Sequence, residues 1–215
     1  YVPLNGSASV IDMLRGIIIQ SGNDASKAMA EHIAGNEGAF AEMMNQEAKH
    51  LGMNHSHFMN ATGMPMDGHY SSALDMAILA RNIIKDSAKY YPIYSEKEFY
   101  FNGIKQGNRN ALLYTDPSVD GLKTGTSDNG YNLELTAKRN HLRIVTGIFN
   151  VKPYPDEQAK HARQKLANAL TEHAFKQYDY RKVISKGEHE IDGKKYIYRI
   201  KTCIMAKTTI TFAPT

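Results

Sequence analysis

The chain has 215 residues, 42% hydrophobic and 22% charged, which excludes a wholly disordered chain, a collagen-like repeat and a coiled coil. Its net charge of +4 is uneven: from Lys176 onward nine Lys and Arg stand against four Asp and Glu, and the first 175 residues carry seventeen against eighteen. No apolar run approaches the ~18 residues of a membrane span, and the one cysteine, Cys203, excludes an internal disulfide.

Ser9 caps a first helix with Val10, Leu14, Ile17 and Ile18 at helical spacing. A second helix starts near Ser21-Gly22-Asn23-Asp24, buries Ala25, Ala28, Met29 and Ile33, and stops at Gly35. A third spans Glu37 to Leu51, with Phe40, Met43, Met44 and Ala48 inward and Gly52 just past its end. Asn54 to Tyr70 has no clear period and reads as a long structured loop. Ser72 caps a fourth helix with Met76, Leu79, Ala80 and Ile83 inward, and Asp75 is its N3 partner rather than a catalytic acid. Glu98 to Ile104 alternates as a strand, and Leu133–Ala137 and Leu142–Ile148 flank a turn at Arg139-Asn140 as a hairpin. Asp156 to Phe175 is helical, and Lys182 to Phe212 reads as short strands joined by turns such as Asp192-Gly193. Within it, Tyr196-Ile197-Tyr198-Arg199-Ile200 alternates as an edge strand. The order predicts an α/β (α+β) layered domain, helices on a mainly antiparallel sheet, over residues 1–175, and the start of a small β domain over 176–215. The scattered lysines and arginines of the last segment read as a solvated strand face; an anionic surface is the competing reading.

Two triplets carry chemistry. Ser21-Gly22-Asn23 falls between two helices, where a hydroxyl and an amide on a tight bend can relay a proton and grip an amide. Lys123-Thr124-Gly125 supplies a fixed cation on a strand, followed by a residue without a side chain, against which a substrate backbone can lie. Taken alone, Ser21 and Asn23 are equally good helix caps. His50, His55 and His57 have no carboxylate at ligand spacing, so no metal is expected, and the methionines from Met43 to Met66 read as packing rather than a cofactor box.

In this order and about a hundred residues apart, the two triplets make the chain similar to the low-molecular-mass penicillin-binding proteins of the serine D-alanyl-D-alanine carboxypeptidase type, a branch of the serine β-lactamase-like fold. Further stretches match that branch: Leu14-Arg15-Gly16, Gln20-Ser21-Gly22-Asn23-Asp24-Ala25, Asp67-Gly68-His69-Tyr70, Phe101-Asn102-Gly103-Ile104, Asn108-Arg109-Asn110, Val119-Asp120-Gly121-Leu122 and Gly130-Tyr131-Asn132. The likeness covers roughly residues 1–175. It implies removal of the terminal D-alanine from peptidoglycan stem peptides ending in D-Ala-D-Ala, through an acyl-enzyme that β-lactam antibiotics also form. No cofactor and no nucleic acid are implied. The implied location is periplasmic or extracytoplasmic, with peripheral association at the outer face of the inner membrane through a C-terminal segment beyond Thr215.

By resemblance, Ser21 passes the proton, Asn23 holds the substrate amide and Lys123 orients Ser21 and attracts the terminal carboxylate. Thr124 and Arg109 bind that carboxylate. Gly125 admits the substrate, and the amide of Thr126 gives half of an oxyanion hole, at a position where the family often has His. The family's third signature, S-x-x-K, carries the nucleophile and its base. No serine here has Lys three residues on, and the chain opens Tyr1-Val2-Pro3-Leu4 without a start methionine, so the resemblance places that pair upstream of Tyr1. Three readings compete with the carboxypeptidase: a non-catalytic module that binds the peptide, an endopeptidase differing only in leaving-group size, and a β-lactamase. The last would need a deacylating carboxylate, and the Asn54–Tyr70 loop offers only Asp67.

Overall fold

The computed structural model describes residues 2, 5–128, 130–151, 156–181, 187–198 and 203–206. Four helices come first: α1 (Val10–Gln20), α2 (Asn23–Ala34), α3 (Glu37–Leu51) and α4 (Ala73–Asp86). Ser9, Asn36 and Ser72 cap α1, α3 and α4 by accepting from the amides three residues on, and Gly35 and Gly52 end α2 and α3 in the left-handed conformation. The helical seams are built from small residues. Ala25 and Ala30 of α2 and Ala41 and Ala48 of α3 are buried, Ala25 lying beside Gly16 of α1, and several larger apolar side chains are left exposed. This corrects part of the expected core: Val10, Ile33 and Met43 are exposed, while Met13 and Ile19 are the buried residues of α1.

Asp75 is only 1% exposed. Its amide donates to Ser72 Oγ, and its carboxylate accepts from Ser56 Oγ and the His55 amide, which hold it below the ordinary carboxylate range and tie the 54–70 loop to α4. His57 and His69 also serve that loop. His57 Nδ1 bonds the Gly68 carbonyl, and the Met59 amide donates to His69 Nδ1.

The expected strand 98–104 is in fact a hairpin. β1 (Glu98–Phe101) and β2 (Ile104–Gly107) pair antiparallel around Asn102-Gly103, both with positive φ (51° and 73°), the pattern of a type I′ turn. The alternation continues through the turn, and the Asn-Gly pair is what marks the reversal. A short helix α5 (Leu112–Thr115) leads to the main sheet, in which β3 (Val119–Ser127), β4 (Gly130–Arg139) and β5 (Leu142–Val151) lie antiparallel in the order β3-β4-β5. Helix α6 (Asp156–Gln177) packs on one face of the sheet through Ala167 and Phe175, against Leu133, Leu135, Ala137 and Leu142. A second core joins α4 and the 3-10 turn Tyr91–Ser95 to the sheet through Ala80, Tyr91 and Leu122.

After α6, β6 (Tyr178–Arg181) pairs with β9 (Cys203–Ala206), and β7 (Gly187–Ile191) with β8 (Lys194–Tyr198) across the Asp192-Gly193 turn. Of the strand run expected from Lys182 to Phe212, both end residues and Arg199-Ile200 lie outside the described residues.

Candidate active site

Ser21 ends α1 in the left-handed conformation (φ 57°, ψ 44°), its amide donating to the Ile17 carbonyl and the Gly22 amide to the Gly16 carbonyl, and Gly22 then opens α2. A non-glycine residue there costs on the order of 1 kcal/mol. The elbow turns the Ser21 side chain away from the helix it precedes. The capping alternative thereby falls away, because α2 has no side-chain cap bond. Ser21 Oγ instead accepts from Lys123 Nζ, 102 residues along the chain. Asn23, first residue of α2, is exposed and lines the same cleft.

Lys123 lies on β3, one of the two edge strands of the main sheet, and its Nζ also donates to the Thr124 carbonyl at 2.8 Å. Burial, reinforced by the cations Arg109 and Arg163, lowers its pKa to about 8. It is therefore still mainly cationic at neutral pH.

The position of β3 is set by a polar cluster at its start. Arg143 forks onto Asp120 at 2.7 and 2.6 Å, and the Tyr91 and Thr136 hydroxyls donate to the same carboxylate at 3.0 and 2.9 Å. Burial pushes the Tyr91 phenol up to about 12. The two glycines of the strand have different reasons to be there. A Cβ on Gly121 would lie 2.7 Å from Thr136 Oγ1, so the fold itself demands glycine. A Cβ on Gly125 would meet Asn132 at 3.4 Å, an ordinary contact, so the fold makes no such demand there.

Arg109 is exposed and has no hydrogen-bond or ion-pair partner among the described residues. Both neighbours hold its backbone. Asn108 Nδ2 donates to the Tyr94 and Glu96 carbonyls, and buried Asn110 donates through Nδ2 to the Gly121 carbonyl of β3 at 3.1 Å. The turn thus delivers a free guanidinium into a cavity of about 500 Å³ lined by Ser21, Asn23 and Arg109 together with Phe101, Ile104 and Gln106 of the β1–β2 hairpin. Thr124 is only 8% exposed, paired with Leu133, and Thr126 is exposed, paired with Tyr131. The structure brings Ser21 and Lys123 into contact and sets Asn23 and Arg109 around the same cavity; Thr124, Gly125 and Thr126 follow Lys123 along β3.

Sequence reasoning missed Arg163. It is 3% exposed, and its Nη1 donates to the Gly125 and Asn132 carbonyls at 3.2 and 3.0 Å, clamping β3 to β4 beyond Lys123. The signal was available. Ala159, Arg163 and Ala167 fall at four-residue steps on the buried stripe of α6, where an arginine needs a reason. It also missed Glu134, the residue paired with Lys123 on β4, which is 3% exposed. Lys123, Arg109 and Arg163 therefore converge on one strand end with no carboxylate in ion-pair range among the described residues.

The sequence profile of the D-alanyl-D-alanine carboxypeptidase family, Peptidase_S11, matches residues 1–153. D-alanyl-D-alanine carboxypeptidase DacA of Haemophilus influenzae is 39% identical over 207 residues, covering 95% of this chain and 51% of that protein. DacA of Escherichia coli strain K12 is 43% identical over 153 residues, 70% of this chain and 38% of that protein. Among solved structures, penicillin binding protein 5 from Haemophilus influenzae superposes with a TM-score of 0.84 at 34% identity, covering 96% of this chain and 62% of that one. The chain thus spans about half the length of the first of these relatives and less of the second.

Proposed function

Because the chain belongs to the D-alanyl-D-alanine carboxypeptidase family, we propose that the complete protein is a serine carboxypeptidase that removes the terminal D-alanine from peptidoglycan stem peptides and is acylated by β-lactams. The observation that carries this is the Lys123 Nζ–Ser21 Oγ contact across 102 residues. It joins a relay hydroxyl to a fixed cation beside a cavity that Ser21, Asn23, Asp24 and Arg109 line.

In this reading a serine supplied by an S-x-x-K segment attacks the penultimate D-alanine carbonyl, and its lysine takes the hydroxyl proton. The developing oxyanion is held by the nucleophile's own amide and that of Thr126. Collapse breaks the C–N bond while Ser21 passes a proton to the leaving nitrogen, and water then releases the acyl chain. Lys123 orients Ser21 through their hydrogen bond. Arg109, with Thr124, binds the leaving carboxylate, Arg109 offering a planar fork suited to it. Asn23 holds the substrate amide and Gly125 lets the peptide backbone lie along β3.

The same proposal divides the chain at residues 175/176 into the catalytic domain and the start of a β domain, supported by the pairing of β6–β9 among themselves. It places the protein outside the cytoplasm, with peripheral membrane association at the outer face of the inner membrane.

The test is intact mass after incubation with benzylpenicillin. The complete protein gains one adduct, whereas the 215-residue chain, with no serine followed three residues on by lysine, gains none. An adduct on the 215-residue chain would show that the nucleophile has been misplaced. A complete protein that binds a D-Ala-D-Ala peptide but takes no adduct would favour a non-catalytic peptidoglycan-binding module.

A further inference from the structure

We propose that the β1–β2 hairpin is the leaving-group wall of this cleft, and that Phe101 and Ile104 select for a leaving group of one residue ending in a free carboxylate. The inference rests on the carboxypeptidase reading above.

The hairpin has two unlike faces. Glu98, Tyr100 and Lys105 form the outer one, where Lys105 pairs with Glu98 at 2.6 Å and lies over the Tyr100 ring. Phe101 and Ile104 are cross-strand partners on the other face, flanking the Asn102-Gly103 turn, and with Gln106 they line the cavity that holds Ser21, Asn23 and Arg109. Ile104 is 53% exposed there, an apolar group left open to the cleft.

The base of the hairpin is fixed to the catalytic elements. Gln20, the residue before Ser21, donates to the Gly107 carbonyl, and the Asn108 amide donates to the Lys97 carbonyl at 2.7 Å. Arg15 of α1 forks onto Glu96 at 2.8 and 3.1 Å. The wall, the Ser21 elbow and the turn bearing Arg109 therefore form one unit.

Chain continuity sets which side of the substrate the wall meets. β2 runs through Gly107-Asn108 directly into Arg109. In the reading above Arg109 takes the terminal carboxylate, and that carboxylate belongs to the residue being expelled. A wall beside Arg109 accordingly meets the leaving group rather than the acyl chain. A terminal D-alanine ends at its carboxylate and fits. A cross-linked leaving group continues into a second peptide and meets Phe101 and Ile104.

The experiment compares D-alanine release from a pentapeptide ending in D-Ala-D-Ala with cleavage of a cross-linked peptide dimer, both by the complete protein. Phe101→Ala/Ile104→Ala should raise the ratio of cross-link cleavage to D-alanine release by about tenfold, the scale on which a filled pocket discriminates. Lys105→Ala, which loosens only the outer face, should leave the ratio unchanged. An unchanged ratio in the double variant of a protein that still takes up penicillin overturns the wall alone. If the complete protein neither takes up penicillin nor releases D-alanine, the carboxypeptidase reading fails and the 215-residue chain decides the wall. Titration with N-acetyl-D-alanyl-D-alanine should then shift the Ile104 methyl NMR signals, and Arg109→Gln should abolish the shift. Absence of any shift in the unsubstituted chain overturns the wall.

Discussion

Replacing Glu134 by Gln should remove a pH-dependent loss of stability from the chain. Glu134 is 3% exposed, and its Oε1 has no hydrogen-bond partner. It is the cross-strand partner of Lys123, yet no ion pair forms between them, because Lys123 Nζ is engaged by Ser21 and the Thr124 carbonyl. Burial without compensation raises the carboxyl from its ordinary value of 4.5 to about 7. The folded state thus keeps a proton that the unfolded state has already released. This favourable proton binding is fully present below pH ~4.5, and it is lost as pH rises through the folded value near 7, beyond which no further loss occurs. The gap between the two values is worth about 3 kcal/mol at full ionisation. Glutamine keeps the shape and cannot ionise. Urea denaturation of the 215-residue chain should therefore show wild type falling behind Glu134→Gln by about 2–3 kcal/mol more at pH 8.5 than at pH 5. Other titrating groups, including His69, whose pKa burial lowers, are common to both proteins and cancel in the difference. If the gap between the two proteins were the same at both pH values, Glu134 would ionise in the fold as it does in water, and the account of its burial would be wrong.

Two further outcomes follow from β3. Gly121→Ala should destabilise the chain by about 1–3 kcal/mol, since its Cβ would meet Thr136 Oγ1, whereas Gly125→Ala should leave the melting temperature nearly unchanged and lower penicillin acylation of the complete protein; the reverse pattern would mean the two glycines have been assigned the wrong roles. Lys123→Ala in the complete protein should lose on the order of 10²–10³ in acylation rate, with Lys123→Arg between it and wild type. The wild-type rate should fall on the alkaline side through about pH 8 as Lys123 deprotonates. Arg109→Gln, by removing a neighbouring cation, should move that fall to higher pH, and a fall that stays in place or moves down would separate Arg109 from Lys123 electrostatically.

Local rules fixed the ends of the helices and left their faces open. Ser9, Gly35, Asn36 and Gly52 act through bonds to their own neighbours, so the start of α1, the end of α2 and both ends of α3 are set by a few residues. Which side of a helix is buried depends on what arrives from elsewhere in the chain. In α2 and α3 the buried residues are the alanines Ala25, Ala30, Ala41 and Ala48, while the larger Ile33 and Met43 face solvent. The hairpin at 98–107 did carry a local signal, the Asn102-Gly103 pair suited to two positive φ angles, and reading the alternation straight through it as one strand overlooks it.

The site divides along the same line. Ser21 and Lys123 were legible because a relay hydroxyl and a fixed cation come as short motifs in a set order, and the fold only had to bring them together. Arg163 and Glu134 belong to no motif, and each is defined by burial that only the sheet and α6 create. Together they state what the site lacks. Burial first, then the charges of Arg109 and Arg163, depress the Lys123 ammonium, and Glu134, its cross-strand neighbour, is held toward its neutral form by burial and makes no ion pair with it. Arg163 is buried and Lys123 partly buried, and neither has an ion-pair partner among the described residues, an arrangement that is costly and that a nearby anion would relieve. The leaving carboxylate of a D-alanyl peptide, or the carboxylate of a penicillin, is such an anion. The two arginines that add to the effect of burial on Lys123 are thus also the charges that favour a carboxylate-bearing ligand over a neutral one.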